Sequence, residues 1–239
     1  DIVAGNNGDL NRLYLNNGYI KRAEYGYLRN DLEAAAEIRV IAVGDVNADG
    51  KPDLVVGYFG AVVQLFTNNG TASPFAGVAG VNIGETPSKT TSLALGDVDG
   101  NGSLDLIEGN VDGPNRLYLN NGTADPFAGV SGSDITSDDA HLTYSVALGD
   151  LNGDGKLDLV AGNVNSPNRL YLNNGTADPF AGVSGSDITS DAHNTFSVAL
   201  GDVNADGKLD VVAGNDGVPN RLYLNNGTAD PFAGVDGSD

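Results

Sequence analysis

The sequence contains no cysteine, no methionine and no tryptophan. Without cysteine there can be no disulfide, no thiolate metal site and no thiol nucleophile, and the redox compartment cannot be read from thiol usage. Basic residues are scarce: 12 Lys+Arg stand against 32 Asp+Glu, a formal charge of −20. A surface of that sign repels nucleic acid and anionic membrane, so neither is expected as a partner. No stretch approaches the roughly 20 consecutive apolar residues of a membrane-spanning helix, and no membrane insertion is expected. Histidine occurs only at His141 and His193, in polar surroundings that predict solvated rings rather than a general base. Glycine, by contrast, is abundant at 34 residues. Together with recurrent Asn-Gly pairs it favours turns and an all-β chain.

The acidic residues are not scattered. Asp150, Asn152, Asp154 and Asp158 fall at positions 1, 3, 5 and 9 of a nine-residue stretch with Gly155 at position 6 and Lys156 at position 7. A hard cation such as Ca²⁺ takes six to eight oxygen ligands, which a short chain supplies by curling around it. Alternate side chains point inward, position 7 offers its backbone carbonyl, and glycine permits the turn. The same pattern recurs at Asp45, Asn47, Asp49, Lys51 and Asp53, and at Asp202, Asn204, Asp206, Lys208 and Asp210. A fourth copy, Asp97, Asp99, Asn101, Ser103 and Asp105, carries serine at position 7. About four Ca²⁺ sites are therefore expected, offsetting about eight of the negative charges. An EF-hand is excluded because it needs a bidentate glutamate at position 12 and flanking helices. Position 12 is Val56, Glu108, Ala161 and Ala213, and the flanks are short apolar runs ending in glycine.

The loops begin at Asp45, Asp97, Asp150 and Asp202, a spacing of 52 or 53 residues. A period in this range signals a solenoid or propeller. The divisions read from it are a partial unit over 1–40, then 41–92, 93–145, 146–197 and 198–239, forming one region over 1–239. In each unit the pattern predicts a strand before the loop (145–148), a second after it (157–161), a third at 169–172 and a weaker fourth near 180–183. Four antiparallel strands per unit describe the blade of a β-propeller. Phe75, Phe127, Phe180 and Phe232 are then expected to fill the gaps between blades. Residues 19–40 depart from the pattern, either as an insertion with a short helix capped at Asn30 or Asp31, or as a divergent strand and linker. Asp1 aligns with Asp158, as if the chain began on the ninth residue of a fifth loop. Closing a five-unit ring would need roughly 22 more residues, and a fragment of a larger ring or array is expected.

These repeats resemble the FG-GAP or VCBS type of calcium-loop propeller repeat found in integrin α-subunit heads and many bacterial secreted proteins. The match lies in the four loops, the preceding Ala-Leu-Gly and the following Leu-Asp-Leu-Val-Ala-Gly-Asn, and the near-identity of the last three units resembles bacterial arrays most. The resemblance implies an extracellular or cell-surface location and a protein or glycan ligand, without choosing among functions. The first expectation is a calcium-stabilised adhesive or lectin-like binding module. The alternatives are the propeller scaffold of a larger polysaccharide-active enzyme and a structural repeat of a surface layer or filament. No catalytic constellation emerges, so the chain itself is not expected to be an enzyme. Asn69, Asn121, Asn174 and Asn226 each begin Asn-Gly-Thr, a glycosylation acceptor that is equally a turn, and turn chemistry is the favoured reading.

Recognition is expected on the face opposite the calcium loops, where the connection after strand two differs in every unit. Tyr58 and Phe59, expected to be exposed, are candidates for stacking on a sugar. Arg116, Arg169 and Arg221, with Arg12 at the corresponding place in the first unit, either bridge neighbouring blades or hold a carboxylate-bearing glycan.

Overall fold

The computed structural model describes residues 37–135 and 141–238, with the backbone of two short strands, β1 (Ile2–Ala4) and β2 (Arg12–Tyr14), which pair antiparallel. Asp1, the connection from Asn6 to Leu10, the Arg12 side chain, residues 19–36 and Asp239 lie outside the described residues. Among the described residues every regular element is a strand. Each unit is an antiparallel meander. The first full one comprises β3 (Glu37–Gly44), β4 (Asp53–Ala61), β5 (Gln64–Phe66) and β6 (Val81–Asn82). Next come β7 (Ser88–Gly96), β8 (Asp105–Asn110), β9 (Arg116–Tyr118) and β10 (Ser133–Asp134), and then β11 (Leu142–Gly149), β12 (Asp158–Val164), β13 (Arg169–Tyr171) and β14 (Ser186–Asp187). The last unit has β15 (Asn194–Gly201), β16 (Asp210–Asp216) and β17 (Arg221–Tyr223), with a single bridge from Leu222 to Ser238 where the others have a fourth strand. The architecture is all-β and propeller-like.

Three expectations are corrected. The fourth strand is not at 180–183. That segment is a turn, with Ala181 N donating to Asp178 O and Val183 N to Phe180 O, and the two-residue strand follows at Ser186–Asp187. The cuts at 41, 93, 146 and 198 fall inside first strands, and the last residues of the divergent 19–40 segment, from Glu37 on, belong to β3. The connection after β4 is not a loop like its counterparts. Where later units have Pro114, Pro167 and Pro219, this one has Val62, and β-forming residues carry the strand on to Ala61. Its end pairs with the next unit, Phe59 opposite Lys89 and Ala61 opposite Ser88, joining two meanders into one sheet.

The core lies between units. Val98, Ile107, Leu117 and Ile135 of one unit pack against Val146, Leu159, Ala161, Tyr171 and Phe180 of the next. The equivalent layers hold Phe127 on one side and Phe232 on the other. Phe127, Phe180 and Phe232 therefore fill the inter-unit gaps, because a lone sheet cannot cover both of its faces, while Phe75 packs against Leu54, Val56, Tyr58 and Phe66 of its own unit. Each joint also carries one hydrogen bond from the end of strand three to the preceding unit's loop. Asn120 Nδ2 donates to Val46 O at 2.8 Å, Asn173 Nδ2 to Val98 O at 2.7 Å and Asn225 Nδ2 to Leu151 O at 2.7 Å. Val98 and Leu151, each covered by the following unit, are 3% exposed, whereas their counterpart Val203 is 54% exposed.

Candidate metal centres

Each acidic loop connects strands one and two and is shaped by its own side chains. In the loop at 150–158, Asp150 accepts from the Gly153 and Asp154 amides through Oδ1 and from Gly155 N through Oδ2. Asn152 Oδ1 accepts from Asp154 N and Asp154 Oδ1 from Lys156 N, a ladder of local turns. The loops at 45 and 202 repeat this ladder. Glycine at position 6 adopts positive φ in all four, from 83° at Gly50 to 89° at Gly102. Position 4 is also left-handed, through Gly100 and Gly153 but also through Ala48 at φ 56° and Ala205 at φ 61°, a demand the spacing did not signal.

Position 9 has a second task. Asp53, Asp105, Asp158 and Asp210 are fully buried. In each, one carboxylate oxygen accepts from the position-2 amide and the other from the asparagine amide that ends strand three, as in Asp158 with Leu151 N at 3.0 Å and Asn173 N at 2.9 Å. The residue thus ties the loop to the sheet. Burial outweighs these bonds and pushes Asp105 up to about 6, while Asp53 and Asp158 move in the same direction for the same reason.

The loop at 97–105 is the most concentrated: carboxylate oxygens of Asp97, Asp99 and Asp105 lie within 4.8 Å of one another. Asp97 Oδ1 is buried with no hydrogen-bond partner. A buried carboxylate oxygen left unmet is costly unless a cation faces it. The donor set, wholly oxygen, fits a hard divalent ion. Glu108, the one residue that met the position-12 requirement, does not join it. It is fully buried and accepts from the hydroxyls of Ser88, Thr90 and Tyr118.

The ligand candidates fare differently. Tyr58 is 1% exposed and donates to Gln64 Oε1 at 2.9 Å, so the expected exposed stacking ring is in fact a core residue. It faces inward because it belongs to the extended β4. Phe59 is half-buried, with Arg39 Cζ 4.9 Å and Lys89 Nζ 5.6 Å from its ring centre. Arg116 pairs with Asp134 and Arg169 with Asp187, both from strand three to strand four of one meander. Arg221 pairs with Asp191, in the connection between β14 and β15, 3.1 Å away. Asp191 also lies 3.7 Å from His193 Nε2, so that ring is less solvated than expected.

In the Asn-Gly-Thr turns, the amide nitrogen that glycosylation would consume is already used. Asn174 Nδ2 donates to Asp178 O and Ala181 O while Oδ1 accepts from Thr176 N, and Asn69, Asn121 and Asn226 do the same.

The profile of the FG-GAP-like repeat matches residues 45–108, 97–161 and 150–213, together more than half of the chain. Cartilage acidic protein 1 of Xenopus tropicalis is 38% identical over 80 residues, 34% of this chain and 12% of that protein. The Homo sapiens protein of the same name is 36% identical over 100 residues, 42% of this chain and 13% of its own length. The chain thus matches only about an eighth of those relatives. The crystal structure of Chaetomium thermophilum Raptor aligns over 79% of this chain and 16% of its own, with a TM-score of 0.50 and 13% identity, a likeness of fold alone. With three consecutive repeats matched and the acidic loops at their heads, the chain is a member of the FG-GAP-like repeat family.

Proposed function

We propose that the chain is a calcium-stabilised binding or adhesion module of the extracellular space or cell surface, built as part of a β-propeller of four-stranded blades. The observation that carries this reading is the loop at 97–105, where three carboxylates converge and Asp97 Oδ1 is unmet, together with the buried position-9 carboxylate that all four loops share. Bound calcium would supply the positive charge that these carboxylates lack. The side chains themselves shape the loop, exclude water at position 9 and fasten the loop to strand three. The near-identity of the last three units, a trait of bacterial secreted arrays, and the likeness to proteins named for cartilage both support an extracellular setting. The reading is non-enzymatic, since the acidic groups are engaged in holding the loops.

Recognition is proposed on the face opposite the loops, around Phe59 with Arg39 and Lys89, and an acidic glycan or protein is the ligand class that this surface suits. Thermal melts in excess Ca²⁺ and in chelator test the metal reading: the melting temperature should fall on chelation, because an ion bound only by the folded state stabilises it by mass action. Equal melting temperatures would refute it. An array of acidic glycans, probed with the native chain and with Phe59→Ala, addresses the ligand face.

A further inference from the structure

We propose that the lysine at position 7 is a tethered counter-ion that competes with the divalent cation in three of the four loops, leaving the loop at 97–105 as the tightest site. The inference rests on the calcium reading above. Lys51 Nζ lies 2.9 Å from Asp49 Oδ2, Lys156 Nζ 2.8 Å from Asp154 Oδ2 and Lys208 Nζ 2.9 Å from Asp206 Oδ2. In each case the carboxylate is the position-5 donor, whose other oxygen already accepts the lysine's own amide. Both of its oxygens are therefore engaged by one residue.

The partly exposed lysine also has a second contact. The lysine stem lies against the glycine of the neighbouring Asn-Gly turn. A Cβ added to Gly70, Gly175 or Gly227 would meet lysine Cε at 3.0, 2.6 or 2.5 Å. In the remaining loop the corresponding atom is Ser103 Oγ, 3.8 Å from such a Cβ on Gly122, and position 7 carries no charge. Three loops thus combine three aspartates with one lysine, while the loop at 97–105 combines three aspartates with none. A divalent ion entering a lysine loop meets a fixed positive charge across one carboxylate. In a mostly hydrated setting that repulsion corresponds to roughly a tenfold loss of affinity.

Amide resonances of the position-6 glycines give a separate readout for each loop during a calcium titration of the whole chain. Gly102 should shift first, with Gly50, Gly155 and Gly207 following at about tenfold higher calcium. Ser103→Lys should abolish that lead. Lys156→Gln should bring Gly155 forward to join Gly102 without moving Gly50. Simultaneous shifts of all four glycines in the native chain, or an unchanged order in both variants, would overturn the inference while leaving calcium binding intact. Absence of any shift would overturn the calcium reading and this inference with it.

Discussion

Asparagine 173 offers a measure of how much of the stability resides in the joints. Its Nδ2 donates to Leu157 O at 3.1 Å within the unit and to Val98 O at 2.7 Å across the joint, and its Oδ1 accepts from Gly175 N at 2.9 Å. Truncation by Asn173→Ala leaves three backbone groups unmet. Two lie near the surface, where water can replace the lost partner. Val98 is 3% exposed, so its carbonyl bears most of the desolvation cost. At about 1 kcal/mol for each rehydrated group and about 2 for the buried one, the expected loss is about 3–4 kcal/mol. For a chain of this size that corresponds to roughly 6–16 °C in Tm. Asn68 is the internal control, because its described side-chain bonds, to Pro52 O and from Gly70 N, stay within its own unit. Asn68→Ala should cost about 1–2 kcal/mol. Guanidinium melts followed by circular dichroism in saturating calcium would compare the two. A difference smaller than about 0.5 kcal/mol would mean that this cross-joint bond contributes nothing and that the joint rests on apolar contact and its other hydrogen bonds, such as Val146 N to Ser92 Oγ and Asn115 Nδ2 to Thr143 Oγ1.

Two further outcomes are expected. Gly185→Ala would place a Cβ 2.3 Å from Tyr171 Cε1, in a core where the ring cannot retreat. A loss of about 1–3 kcal/mol should appear in the same melts, and an unchanged midpoint would show that the turn yields instead. The second concerns pH in the chelated chain. The folded-state pKa of Asp105 is about 6, and those of Asp53 and Asp158 also lie above their ordinary values. Between the unfolded value of about 4 and about 6 the folded state therefore binds more protons, and stability should fall as pH rises through that window. Asp49, Asp154 and Asp206, lowered by their lysines, act only at lower pH and in the opposite sense. High salt suppresses the general repulsion of an acidic chain but not the effect of burial. If the chelated chain in high salt melts higher at pH 7 than at pH 5, burial does not govern these groups.

The loops and the first three strands were legible because their information is local. Oxygen donors at alternate positions, a glycine at position 6 and apolar flanks all lie within about 15 residues of one another. The two-residue fourth strand carries no such pattern. Ser186 and Asp187 are polar, and their place is fixed by pairing with Leu170 and Arg169 and by the Arg169–Asp187 ion pair. Phe180 seemed the better strand residue because it is apolar, yet a turn buries it equally well. Tyr58 was misplaced by analogy with the later units, although Val62 in place of proline was the visible sign that β4 continues. The double role of the position-9 aspartates and the joint asparagines could not be read locally. Their partners lie 15 residues away in the first case and 74 or 75 in the second.

The joints, finally, carry no address. The same asparagine, a loop carbonyl at the same position and the same phenylalanine meet at one seam after another, so these contacts by themselves do not tell the unit that begins at β15 to sit on the one that begins at β11 rather than on the one before it. Order must come from the tether. Only five to seven residues separate one meander from the next, and closing so short a loop costs far less entropy than skipping over an intervening unit. The same anonymity lets a whole period be copied or deleted while every remaining seam still fits. It also exposes a refolding chain at high concentration to exchange of equivalent units between molecules, a hazard of tandem arrays with near-identical neighbours.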